Sequence, residues 1–266
     1  MSANAGYLFY KRYYKAFEDH DWRQVVSAKK ASEIKLLEDT KDSITRMNKK
    51  IEGLGVDSGY TSPAMGNTAL RLATTNPGLL IGSGYSHESG VEDEYKLGFF
   101  FDHTTGLPVI PGSSVKGVLR SVFPKSYDQE EKQKGKQDYL KGILEDQTAD
   151  LKALEAELFE GVVGGERRPL SHRDIFFDAV IDFSTPPAGR VFARDFITPH
   201  KDPLKNPVPL KFLKVLPGVV FRFQFELKHH GDTTVEQKKC LFETILCDIG
   251  IGAKTNVGYG QLTPGR

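Results

Sequence analysis

The sequence predicts an α+β fold, a ferredoxin-like antiparallel sheet with helices packed against it. Three observations predict it. Stretches of strand character at 69–75, 97–102, 174–183, 209–216 and 219–228 are interleaved with two amphipathic helical stretches. Those helices start near Ser113 and near Thr234, so each falls between strands, as in a split β-α-β unit. A glycine-rich run at 250–260 then returns the chain to a last short strand.

The 266 residues, 39% hydrophobic and 11% aromatic, are enough to fill the core of one large domain. No run approaches the roughly 20 apolar residues of a membrane span, and the N-terminus lacks a basic segment followed by an apolar one. No membrane contact is expected. Cys240 and Cys247 lie seven residues apart in one helical pattern. That is roughly 10 Å, beyond the Cα limit near 7 Å for a disulfide, and it is not metal spacing. A reducing, cytoplasmic setting without metal or other cofactor is the simplest expectation. Net charge is +1, but eight Lys/Arg face three Asp/Glu over 190–228, whereas six face ten over 125–160. One side is expected to be basic and another acidic.

Residues 1–60 form an N-terminal helical extension, and 61–266 the main domain. Tyr7, Tyr10, Tyr14 and Phe17 recur at helical spacing, followed by Trp22, Val25 and Val26 and by a sparser run from Ile34 to Ile51. The aromatic stripe is either packing or a partner surface. Alternation over 69–75 reads as a strand, 79–84 as a short apolar segment ending in glycines, and 86–95 as a polar loop. The next strand, 97–102, turns at 103–106 into the extended segment 107–110. A helix follows, with Ser113 or Ser114 as its N-cap and Val115, Val118, Leu119 and Val122 as its buried stripe.

Lys116 and Arg120 share a face of that helix. Two cations in its first turns oppose each other and the helix dipole, and an anion at the N-terminus would relieve both. Gly117 inside the helix costs up to about 1 kcal/mol against alanine; close approach of another backbone would explain it. The alternative is an ordinary solvated helix. At about 125–165 a helical insertion is expected: a flexible charged stretch over 128–137, then one amphipathic helix from Tyr139 to Leu158 with an acidic outer face.

The strands at 209–216 and 219–228 flank Pro217-Gly218, and 190–216 forms a candidate hairpin arm presenting Arg190, Arg194, Lys211 and Lys214. Thr233 or Thr234 caps the last helix, with Glu236 or Gln237 placed for a capping box and Phe242, Ile245, Leu246 and Ile249 on its core face. The helix delivers the chain to Gly250-Ile-Gly-Ala-Lys-Thr-Asn-Val-Gly-Tyr-Gly260. Read alone, this run is either a helix cap with a turn, or a loop that turns backbone amides and Lys254 toward an anion. No nucleotide-binding, nucleophile-elbow or metalloprotease motif is present.

Two motifs together, Gly106-Leu-Pro-Val-Ile-Pro-Gly-Ser-Ser-Val-Lys-Gly-Val-Leu-Arg120 and the glycine run, resemble those of the RAMP superfamily of CRISPR proteins, over roughly 67–123 and 172–262. The likeness is strongest to a subunit of the type III-B (Cmr) effector complexes. It implies RRM-like architecture and a non-catalytic subunit that grips the 3′ part of a guide (CRISPR) RNA. Such a subunit sits beside other Cmr-type subunits and helps place target RNA for cleavage by a neighbour. On this resemblance Ser113, Ser114, Lys116 and Arg120, with Gly252, Lys254, Thr255, Asn256 and Gly258, are expected against the RNA backbone as one surface. The hairpin at 190–216 is the candidate thumb between nucleotides, and Arg71 on the first strand joins the expected RNA-binding cations. Two other functions stay open: a metal-independent guide-processing ribonuclease, which would need a base among His20, His87, His103 and His172, and a protein-interaction module using the N-terminal aromatics.

Overall fold

The computed structural model describes residues 4–17, 31–55, 63–85, 87, 91, 93–183, 189–198, 209–229 and 233–265. Six strands form the main antiparallel sheet: β1 (Thr68–Thr74), β2 (Val109–Ile110), β5 (Ile175–Phe176), β6 (Ala179–Ile181), β9 (Val220–Glu226) and β10 (Leu262–Pro264). Their order is β10-β1-β9-β6-β2, with β5 beside β9 ahead of β6. Helix α3 (Gly112–Ser121) lies between β1 and β5–β6 in sequence, and α6 (Val235–Ile249) between β9 and β10. That succession and order are those of a ferredoxin-like sheet, as expected.

Alternation decides which side of the sheet the helices cover. Leu70 and Leu72 of β1 and Phe221, Phe223 and Phe225 of β9 are buried beneath Val115 and Leu119 of α3 and Phe242, Ile245 and Leu246 of α6. Phe242 stands 5.3 Å from Phe225 and 5.6 Å from Phe176 between ring centroids. Thr234 caps α6, and Gln237 completes the capping box. Ile249, expected in the core, is 40% exposed; Leu241 is buried instead. On the opposite face Arg71 pairs with Arg222 across the ladder, and the chain at 63–65 crosses it, with Pro63 O accepting from Arg222 and Met65 N donating to Gln224.

The apolar segment at 79–84 and the strand expected at 97–102 do not form a regular ladder. They run as extended chain joined by scattered bonds, such as Phe100 N to Ile81 O at 3.0 Å and Gly98 N to Tyr85 O at 2.7 Å. Their side chains are covered by the N-terminal helices α1 (Ala5–Tyr10) and α2 (Ala31–Glu52). Phe9, Tyr10 and Tyr13 interleave with Tyr95, Phe99 and Phe101, and the hydroxyls are used: Tyr10 accepts from Phe99 N and Tyr13 donates to Asn48. Of the expected stripe, Tyr10 and Tyr14 are partly buried in this packing and Tyr7 is 54% exposed, while the fully buried rings are Phe9 and Tyr13. Trp22, Val25, Val26 and the side chains of Phe17, Ile34 and Leu37 lie outside the described residues.

The insertion is two helices, α4 (Glu130–Leu144) and α5 (Leu151–Glu160), rather than a flexible stretch followed by one helix. Glu145 ends α4 in the left-handed region at φ 53°, and Asp150 caps α5 by accepting from the Lys152 and Ala153 amides. The charged stretch is ordered by its own pairs, since Asp128 binds both Lys132 and Lys136. Two short hairpins complete the chain: β3 (Val162–Val163) with β4 (Glu166–Arg167), and β7 (Phe192–Ile197) with β8 (Leu210–Val215).

Candidate functional site

Helix α3 enters at Pro111, whose φ of −57° suits a helix start; no side chain caps it. Ser113 and Ser114 are exposed in the first turn and are not the N-cap, contrary to the sequence reading. The Gly112 amide is taken by Asp178 Oδ1 at 2.7 Å, so a carboxylate already stands at this helix start. Gly112 is required for space: a Cβ would fall 2.2 Å from the Phe176 carbonyl oxygen.

Lys116 Nζ lies 5.6 Å from the centre of the Phe176 ring. Burial, then Arg120 and Arg173, lower its pKa. Arg120 is held differently. Its Nε is 2.7 Å from Glu155 Oε1, its Nη2 binds Glu160, and its guanidinium lies over Phe159 at 6.0 Å. The bond to Glu155 leads the causes that raise its pKa. The repulsion expected to call for an external anion is therefore offset by two carboxylates of α5. Gly117 has open space where its Cβ would stand, so among the described residues no backbone outside its own helix approaches it.

In the glycine run most amides serve the fold. Gly250 N donates to Leu246 O, Ile251 N to Gly260 O, Ala253 N to Leu80 O and Gly260 N to Gly78 O. Gly252 (φ 98°) and Gly260 (φ 72°) let the loop lie against 78–80 and fold on itself; their Cβ atoms would meet Leu80 O at 2.5 Å and Ile251 O at 1.8 Å. Among the described residues the amides of Gly252, Lys254, Thr255 and Asn256 have no hydrogen-bond partner. Thr255 and Asn256 open a short 3-10 turn, Thr255–Val257, closed by Gly258 at φ 95°. Lys254 precedes it in the left-handed region at φ 63°, without a carboxylate partner among the described residues. A non-glycine residue held there costs on the order of 1 kcal/mol or more.

The hairpin β7–β8 joins this loop. Tyr259 OH donates to Asp195 Oδ2 at 2.7 Å, Lys214 pairs with the same carboxylate and lies 5.8 Å from the Tyr259 ring, and Phe212 packs against Tyr259. Of the four hairpin cations expected at the surface, Arg190 and Arg194 are exposed. Lys211 is buried on Asp93 beside the Phe196 ring, and Lys214 is spent on Asp195, so neither is presented. The residues between 198 and 209, at the end of the arm, lie outside the described residues. Arg71 is bound to Asp182 at 2.6 Å on the sheet face opposite the helices.

The two motifs do not form one continuous surface. Gly112 sits against Phe176, which aligns with Phe225 and through it with Thr68, at one end of β1. The glycine run enters β10 at Leu262, opposite Thr74, at the other end. Six residues of strand separate these rows, about 20 Å. Neither Arg167 nor Arg173 was expected at a site from the sequence. Both line a cavity of about 930 Å³ that Ser113, Lys116 and Arg120 share.

The sheet order, the helix start at Pro-Gly-Ser-Ser and the glycine loop before the last strand define a class. A family model, the RAMP superfamily, matches residues 71–263, and the chain belongs to that family. Within it the chain is similar to the CRISPR system CMR subunit Cmr6 of Saccharolobus solfataricus, 29% identical over 170 residues, 62% of this chain and 48% of the relative. The chain thus spans about half the length of the curated relative it matches. Among solved structures it resembles a chain of the cryo-EM structure of the Type III-B Cmr-beta bound to cognate target RNA, with a TM-score of 0.50, 26% identity, 74% of this chain and 58% of that one. It also aligns with the crystal structure of Cmr6 from Pyrococcus furiosus, with a TM-score of 0.46, 21% identity, 74% of this chain and 97% of that one.

Proposed function

We propose that this chain is a non-catalytic RNA-binding subunit of a type III-B CRISPR ribonucleoprotein. It grips the 3′ part of the guide RNA and helps position target RNA for cleavage by a neighbouring subunit. The observation that carries the RNA-binding part is Lys254. A glycine would take its left-handed backbone more easily, yet the chain keeps a lysine there that, like four amides of the loop, has no partner among the described residues. Amides and a cation contact phosphate without reading sequence, which suits a guide of variable sequence. Exposed Ser113 and Ser114 with Lys116 make a second patch, and Arg190 and Arg194 are exposed on the hairpin β7–β8. Likeness to Cmr subunits, including one from a complex bound to target RNA, supports the assembly. Of the candidate general bases, His87 is buried among aromatic rings and out of reach of a strand on the surface, whereas His103 and His172 are exposed and are addressed by the cleavage test below.

Replacement of Lys254 by glycine tests this. Lys254→Gly removes the cation and relieves the backbone, so the protein should melt no lower while its affinity for single-stranded RNA falls. The slope of log affinity against log salt should shrink by about one. Affinity unchanged across several salt concentrations would overturn the assignment. Repeat RNA incubated with the purified protein in EDTA should stay intact; cleavage at one position would favour the ribonuclease reading.

A further inference from the structure

The cavity beside α3 has a composition that the motif helix alone does not explain. It is bounded by the first turns of α3, the end of α5 with Gly161, the segment 167–173 and β5. Three cations reach it without a carboxylate partner among the described residues: Lys116, Arg167 and Arg173. Its acids are committed elsewhere, Glu160 to Arg120 and Asp174 to Lys238 and the Lys228 amide. Arg173 is built in. Gly161, at φ 68°, leaves the gap through which its side chain runs, since a Cβ there would lie 2.4 Å from Arg173 Cδ. Its Nε donates to Arg168 O at 2.6 Å, which leaves its terminal nitrogens for a ligand.

The remaining wall is apolar. Leu158, Phe159 and Phe176 form it, and the rim carries Leu170 and Ile175, which are 75% and 40% exposed. Excess positive charge calls for an anion, but an anion alone leaves that wall and rim uncovered. A nucleotide has both parts, and about 930 Å³ accommodates one with room to spare.

We propose that this cavity holds one nucleotide of the bound RNA strand, its phosphate among Lys116, Arg167 and Arg173 and its base against Leu170 and Ile175. Apolar side chains and guanidinium planes are ordinary surfaces for an unstacked base. The proposal rests on the RNA-binding reading above and gives the insertion a role: α5 and the segment after it turn an open helix start into a pocket.

The test uses the full chain and a fluorescently labelled single-stranded RNA, with affinity measured by anisotropy at several salt concentrations. Arg167→Ala combined with Arg173→Ala should lower affinity about tenfold and reduce the salt slope by about one or more. Leu170→Ala should lower affinity several-fold with the slope unchanged, because it removes a base contact. That loss should vanish on a sugar–phosphate strand lacking bases. Leu170 and Arg167 are exposed, so their variants fold even if Arg173→Ala does not. If Lys116→Ala and Lys254→Gly weaken binding while the Arg167, Arg173 and Leu170 variants bind as wild type, the pocket assignment is wrong and the RNA reading stands. If none of them weakens binding, both fall. Competition by micromolar uridine or adenosine monophosphate would also overturn the assignment, since the site would then serve free nucleotide.

Discussion

Lowering the pH should loosen this protein through one residue, His87. Its ring is 6% exposed, lies 4.6 Å from Phe9, 5.0 Å from Tyr14 and 5.4 Å from Tyr13, and neither nitrogen has a hydrogen bond of good geometry, the Tyr95 backbone being the polar group that reaches it. Burial lowers its pKa from 6.5 to about 4, with nearby Glu94 pulling less strongly the other way. The folded state therefore sheds a proton that the unfolded chain keeps. The stability held by the neutral ring is complete above pH 6.5 and is lost as pH falls toward 4. With those two values the loss between pH 8 and pH 5 is about 2 kcal/mol. The variant His87→Leu isolates it, since every other group titrates in both proteins. Urea denaturation at pH 8 and pH 5 should show wild type losing about 2 kcal/mol more than the variant between the two. At pH 8 the variant should be at least as stable, because two unsatisfied nitrogens are gone. A wild-type minus variant difference that stays constant between the two pH values would refute the reasoning.

Two further substitutions probe the frame of the site. Gly117→Ala places a methyl group in open space within α3, so thermal melting should rise by a few degrees for about 1 kcal/mol gained; weaker RNA binding in the same variant would show that the strand runs along this face. Lys238→Met strands two acids, because the fully buried Nζ donates to Asp174 Oδ2 and Lys228 O and lies 2.8 Å from Glu157 Oε1. Chemical denaturation should show a loss of about 3–5 kcal/mol, partly recovered when Asp174→Asn and Glu157→Gln are added.

The sheet was legible because its signals are local. Alternation in 69–75 and 219–228, the capping box at Thr234 and the stripe of α6 each need only neighbouring residues to be read. The motif positions were legible for the same reason. What the sequence could not show is where long side chains end. Lys211 looks like a surface cation in an alternating strand, but Asp93, 118 residues earlier, claims it. Arg120 looked free to meet an anion, but Glu155 and Glu160 come from an insertion whose placement no local pattern states. The separation of the two motifs has the same origin, since ladder register is a non-local property. Arg173 carried no signal apart from Gly161, the small residue that gives its side chain passage.

The carboxylates around Arg120 also change how an RNA would be admitted. A phosphate arriving at a bare arginine simply adds a contact and displaces solvent ions. Here it exchanges with Glu155 and Glu160, which already neutralise the guanidinium and remain close by as competitors. Capture at this end of the molecule is therefore a trade of partners with little net gain for a lone phosphate. On the proposed RNA-binding role, an anion offering a single charge would be turned away. In that same role, a strand engaged at Lys116 and at the distant glycine loop as well would keep its phosphate at high local concentration and complete the exchange.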